Sequence, residues 1–352
     1  MGRLSRGIDR LLDLVPRGIE LDTVQAPVVG DLVGDDAVAD AAGGAPHKTG
    51  MAPGSSAMRP PKTDFPRVRP ILVALAARAT GASAVDREAQ HAAELLHVAL
   101  RVHDAALGES GSRRRRVARA IAHRAMPGVS RSIGWITGNQ LALRALELSH
   151  ASAPGVLEEL MDALRSFSDA QALSRELAGG VPVEEDWLEH ADAHTGALFA
   201  FCCRAGGRLS GADLALLGAL GRYGRHMGRV WHVAEDLSVI DHGVPSLHLV
   251  TRARGGRPVL PVVLAAERDP SIGEGWKRLA TEPDPVEARE LADQLKKLGV
   301  PESREVMLRE SWKARAALGA LAPSRYRAAM ERFAAEIVKA GVPGSRESIK
   351  HR

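Results

Sequence analysis

The chain is poor in aromatic side chains, poor in cysteine, and free of long apolar runs. Phe, Trp and Tyr make up 3% of its 352 residues, whereas hydrophobic residues make up 45%. A core of that size with few rings must be built from Leu, Ala and Val, a mixture that suits packed helices better than sheets. The same shortage removes the stacking platforms that hold single-stranded nucleic acid. No zinc-finger spacing of Cys and His occurs either, so nucleic acid is not an expected partner. The two cysteines, Cys202 and Cys203, are adjacent in an apolar run. Neighbours on one helix do not form an unstrained disulfide, so they read as buried thiols of a reducing compartment. No apolar stretch reaches the roughly 20 residues needed to span a bilayer, and the first twelve residues lack the apolar core of a signal peptide. The expectation is a cytoplasmic protein without a transmembrane segment.

What the chain does have is arginine and helical periodicity. Net charge is +4, and arginine favours bidentate contact with phosphate or carboxylate. Leu4, Ile8, Leu11, Leu12 and Val15 fall at helical spacing, which predicts a short amphipathic helix over residues 3–15. Residues 26–63 are rich in Ala, Gly, Pro and Asp, the composition of a linker that cannot bury enough surface to order itself. Residues 1–63 are therefore read as helix plus linker, 64–345 as one helical domain, and 346–352 as a tail. From Pro70 onward apolar residues recur at i, i+3 and i+4, with breaks expected at Gly81, Gly108–Gly111, Pro127–Gly128, Pro154–Gly155, Gly179–Gly180, Gly206–Gly207, Gly243–Pro245, Gly255–Gly256 and Gly299–Pro301. Only Val259–Leu264 reads as a strand, and Pro261 weakens that reading. The breaks show no repeat. The predicted fold is all-α, a bundle of antiparallel helices.

Two stretches carry candidate chemistry. In Asp64-Phe-Pro-Arg67-Val-Arg69-Pro70, two arginines flank a valine at an expected helix start, where a diphosphate could be cradled. The alternative is two arginines solvating a helix end. Next, Glu94, His97 and Arg101 lie near one helical face with Asp104 close by, and Arg113-Arg114-Arg115-Arg116 follows. A lone His97 is more often structural, and an arginine run is usually a solvated face. One and four residues after Asp104, where further carboxylates would share its face, stand Ala105 and Gly108.

Together, in this order, these stretches resemble the trans-isoprenyl diphosphate synthases, the polyprenyl synthetase family. Phe65–Pro70 matches the family's opening Gly-Gly-Lys-Arg-x-Arg-Pro. His103–Gly108 followed by Arg113-Arg114 matches its first aspartate-rich motif and arginine pair. Ile136-Thr-Gly138-Asn139 is similar to the Ala-Gly-Asp helix, and Gln171 stands at the following glutamine. His194-Thr195 stands at a Lys-Thr segment, and Tyr223–Val239 at the second aspartate-rich helix. Arg254–Val262 stands at the Gly-Lys-x-Thr-Leu-Pro segment.

The resemblance implies an isoprenoid-synthase-like bundle around a central cavity. It implies Asp104, Glu235 and Asp236 as catalytic carboxylates that hold Mg²⁺. It implies Arg67, Arg69, His97, Arg113, Arg114, Gln171, His194, Thr195, His232 and Arg257 as residues that bind prenyl diphosphate and isopentenyl diphosphate. Homodimers, or heterodimers with another prenyl synthase, are implied as well. Several acids of the pattern are absent: Val239 ends the second motif, and Asn139 replaces an acid. Because Mg²⁺ demands several hard oxygen ligands, weakened chemistry is expected. Three readings follow: a divergent prenyltransferase, a catalytically silent partner subunit of an active synthase, and a terpene-cyclase-like enzyme.

Overall fold

A computed structural model describes residues 68–106, 131–177, 180–241, 245–254 and 257–340. Its described residues are predominantly helical and contain no strand, as the all-α expectation requires. The predicted helix at 3–15, the linker, the C-terminal tail, and the breaks at Gly108–Gly111 and Pro127–Gly128 lie outside the described residues.

Helix α1 (Val68–Ala79) is apolar nearly all round and buried on every side, which makes it a centre post of the bundle. After a turn at Gly81, whose φ of 101° suits glycine, α2 (Arg87–Ala106) packs along α3 (Arg131–Ala151). Gly155, at φ 86°, precedes α4 (Val156–Glu176), which carries Glu158 and Glu159 in its first turn, where the helix dipole favours acids. Helix α5 (Glu184–Ala191) runs through a π-helical turn (Asp192–Gly196) into α6 (Ala197–Leu209). The long α7 (Leu214–Asp241) then crosses the bundle, touching α6, the π turn and the C-terminal helices. Its Tyr223 hydroxyl donates to the Met330 carbonyl at 2.9 Å inside the core.

The C-terminal part consists of α8 (Pro245–Arg254), α9 (Leu260–Arg268), α10 (Pro270–Thr281), α11 (Pro285–Ala317) and α12 (Arg325–Ala340). The starts of α10 and α11 follow one rule. Asp269 and Asp284 accept from the amides of Ser271 and Val286 at 3.0 and 2.7 Å, and a proline occupies the position after each cap.

Three local expectations change. Val259–Leu264 is not a strand: Val259 is extended, but Leu260 begins α9, with Pro261 in the first turn where its missing N–H costs nothing. Gly206–Gly207 is no break but lies inside α6. A Cβ on Gly206 would come within 2.4 Å of the Val73 carbonyl, so this glycine lets α6 and α1 touch backbone to backbone. Gly299–Pro301 is likewise interior to α11, with a Cβ on Gly299 falling 2.0 Å from the Pro261 carbonyl. Pro301 gives up one backbone hydrogen bond, yet the close seat against α9 carries the helix through. None of the described helices is long and apolar enough to cross a membrane.

Candidate functional site

The site is built where α7 crosses the π turn. A Cβ on Gly228 would come within 2.4 Å of the Gly196 Cα, so the two backbones meet at paired glycines. His232 lies one turn further along the same face of α7 and meets Thr195, with Oγ1 and Nδ1 2.8 Å apart. Thr195 also lies 3.2 Å from His194 Nδ1. His190, His194 and His232 form a cluster with ring centroids 5.5–5.7 Å apart, His190 and His194 stacked and His232 edge-on. Ser174 on α4 is hydrogen bonded to His190 Nε2 at 2.7 Å. Burial is the main reason the His232 imidazole titrates well below the ordinary histidine range. His190, His194 and Arg252 push it the same way, and Glu235 opposes them. His232 therefore stays neutral near pH 7.

Beside this cluster is a small half-open hollow of about 30 Å³. Ser174, Trp187, His190, His232, Asp236, Arg252 and Arg257 are among its lining residues. Arg257 donates to Gln171 Oε1 on α4 at 3.4 Å. Asp236 is 1% exposed. Its Oδ1 accepts from Arg252 at 3.0 Å and its Oδ2 from the Leu260 amide at 3.0 Å, so it ties α7 to α8 and to the start of α9. Glu235 lies 3.7 Å from the Arg101 guanidinium, an ion pair that links α2 to α7.

Arg69 is buried, with its guanidinium 4.9 Å from the Trp231 ring and 5.3 Å from that of Phe199. Such stacking holds a cation in an apolar wall. On α2, His103 is buried against Trp135 and hydrogen bonded to Asn139 at 3.1 Å. That contact requires Gly138, whose Cβ would strike the imidazole at 2.3 Å.

The sequence candidates thus divide. Gln171, His194, Thr195, His232, Glu235, Asp236 and Arg257 come together at or beside the hollow, and Arg69 is stacked on the residue next to His232. His97 is half-buried on α2. Asp104 lies within α2, and its side chain is outside what the structure describes. Arg67, Arg113 and Arg114 lie outside the described residues. Sequence pattern did not single out Ser174, Trp187, His190 or Arg252. For His190 a signal existed, since it stands one helical turn before His194. Arg252 had none, because its role depends on how α8 returns to α7.

Residues 66–241 match the model of the polyprenyl synthetase family. The chain belongs to that family. Among its relatives, a prenyl transferase of Synechocystis is 27% identical over 270 residues, which cover 72% of this chain and 79% of that protein. A decaprenyl-diphosphate synthase of Dictyostelium discoideum is 25% identical over 247 residues, which cover 69% of this chain and 52% of the relative, so the match spans about half of that protein's length. A polyprenyl synthase from Caulobacter crescentus, solved with calcium and isoprenyl diphosphate, superposes with a TM-score of 0.70 at 24% identity, over 96% of this chain and 97% of that one. At that identity the likeness concerns the fold.

Proposed function

We propose that this chain binds a prenyl diphosphate in the hollow between α4, α5, α7 and α8 and acts as a divergent prenyltransferase of isoprenoid biosynthesis with a weakened ionisation step. One observation carries this reading. Arg252 and Arg257 line a half-open hollow together with His190 and His232, with Gln171 and Thr195 adjoining. Guanidiniums in such surroundings are suited to the oxygens of a diphosphate. The names of the relatives, prenyl transferase and decaprenyl-diphosphate synthase, support the same substrate class.

A divalent cation is implied by the family and accompanies the Caulobacter relative. The donor set here does not fit a cluster of such ions. Asp236 has one oxygen on Arg252 and the other on a helix-start amide, and Glu235 faces Arg101. Asp104 has Ala105 and Gly108 where further carboxylates would stand. Among the described residues no three His, Cys, Asp or Glu side chains are grouped to hold a metal. Mg²⁺ needs near-octahedral oxygen ligation, and each carboxylate would first have to leave a guanidinium. In this arrangement the chain's own residues bind and orient the diphosphate through Arg252 and Arg257.

The engaged carboxylates favour a second reading, a silent subunit that pairs with an active synthase. The terpene-cyclase-like reading gains little, because Trp187 is the one Phe, Tyr or Trp side chain among the described residues lining the hollow.

The test is incubation of the full chain with labelled isopentenyl diphosphate, farnesyl or geranylgeranyl diphosphate and Mg²⁺, alone and mixed with an active prenyl synthase. Elongated product from the chain alone supports the transferase. A product altered only in the mixture supports the subunit. No product from the chain alone together with an unchanged product in the mixture overturns both.

A further inference from the structure

We infer that Arg252 and Arg257, with Arg101 neutralising Glu235 nearby, do the work of a metal cluster, so that the hollow captures a prenyl diphosphate without any divalent cation. This deepens the prenyl diphosphate reading given above and rests on it. Arg252 and Arg257 line the hollow together with Asp236, and Arg101 meets Glu235, the neighbouring residue of α7. Arg101 on α2 reaches Glu235 on α7, and Arg252 on α8 reaches Asp236 on α7. Arg257, just before α9, is 7% exposed and held by Gln171 of α4. A bare set of carboxylates repels a diphosphate, and bound cations reverse that charge. Here the reversal is covalent: Glu235 and Asp236 each carry a guanidinium partner, and Arg257 lines the hollow beside Asp236.

The surroundings strengthen the effect. The Arg252 and Arg101 side chains are 11% and 19% exposed, so they are only weakly screened by water. A guanidinium carries five N–H donors in a fork that fits phosphate oxygens. The pairing with Glu235 and Asp236 also fixes the direction of each fork before a ligand arrives, which lowers the ordering cost of binding. A cation entering this site would have to displace Arg252 from Asp236, whose second oxygen caps α9, and would disturb the junction of three helices.

The test uses the full chain and a non-hydrolysable farnesyl thiodiphosphate, titrated calorimetrically in excess EDTA and again in millimolar Mg²⁺. The expected result is binding in EDTA with a Kd within about threefold of that in Mg²⁺. Arg101→Gln and Arg257→Gln should each weaken binding in EDTA by roughly tenfold or more, the scale of a lost charge-assisted hydrogen bond. Arg252→Lys, which keeps the charge and loses the fork, should weaken it less and remain folded by circular dichroism. Binding that needs Mg²⁺ and vanishes in EDTA overturns the inference while leaving the prenyl diphosphate reading intact. Unchanged affinity in both glutamine variants also overturns it. No binding under either condition removes the prenyl diphosphate reading itself.

Discussion

Replacing Asp236 with alanine should damage the fold before it affects any chemistry. The carboxylate is 1% exposed, with Arg252 on one oxygen and the Leu260 amide on the other, both at 3.0 Å. Removing it deprives a buried guanidinium of this partner and the first turn of α9 of this acceptor. Breaking one side of a buried ion pair costs about 3–5 kcal/mol, and the lost amide bond adds about 1 kcal/mol. At roughly 2 °C per kcal/mol for a domain of this size, the melting temperature should fall by roughly 8–12 °C. Asp236→Asn retains one acceptor and should lose roughly half as much. The assay is thermal unfolding by circular dichroism in EDTA, so that no cation contributes. The reasoning is refuted if Asp236→Ala melts within about 2 °C of the parent while diphosphate binding collapses. That pattern would make Asp236 a ligand-facing or ion-holding group and not a brace between helices.

Other outcomes follow from the same structure. Burial raises the Glu310 carboxyl, but hydrogen bonds from His226 and Lys313 and the charges of His226 and Arg229 outweigh it and hold the group down to about 2. A depressed acid stabilises above its unfolded value near 4.5 and loses that contribution as pH falls toward 2. The gap in melting temperature between the parent and Glu310→Gln should therefore be full at pH 6 and close between pH 4.5 and 2; a gap constant with pH would contradict the linkage. Gly228→Ala drives a methyl into the Gly196 backbone and should cost at least about 1–3 kcal/mol. Gly218→Ala meets nothing nearer than 3.5 Å and should gain about 0.5–1 kcal/mol, a contrast read from paired denaturant titrations. Burial pushes the Cys202 thiol up to about 12 and raises that of Cys203 well above the ordinary range. Neither should react with a thiol reagent at pH 8 until denaturant is added, as absorbance titration would record.

The all-α bundle was legible in the sequence alone, because helical periodicity and turn residues act over a few positions. Gln171, His194, Thr195, His232 and Arg257 could be found by their order along the chain, and the structure gathers them beside one hollow. The glycines at 206 and 299 were misread for a physical reason. A glycine that ends a helix and one that lets two helices touch look the same in one dimension, and only the neighbouring backbone, at Val73 or Pro261, separates them. Charge pairing was equally out of reach. Nothing near Arg101 or Arg252 in the chain says that they will face Glu235 and Asp236, because those contacts bring together α2, α7 and α8 from far apart. Local chemistry decided which helices form and which residues could bind an anion; the three-dimensional crossing of those helices decided that guanidiniums hold the carboxylates.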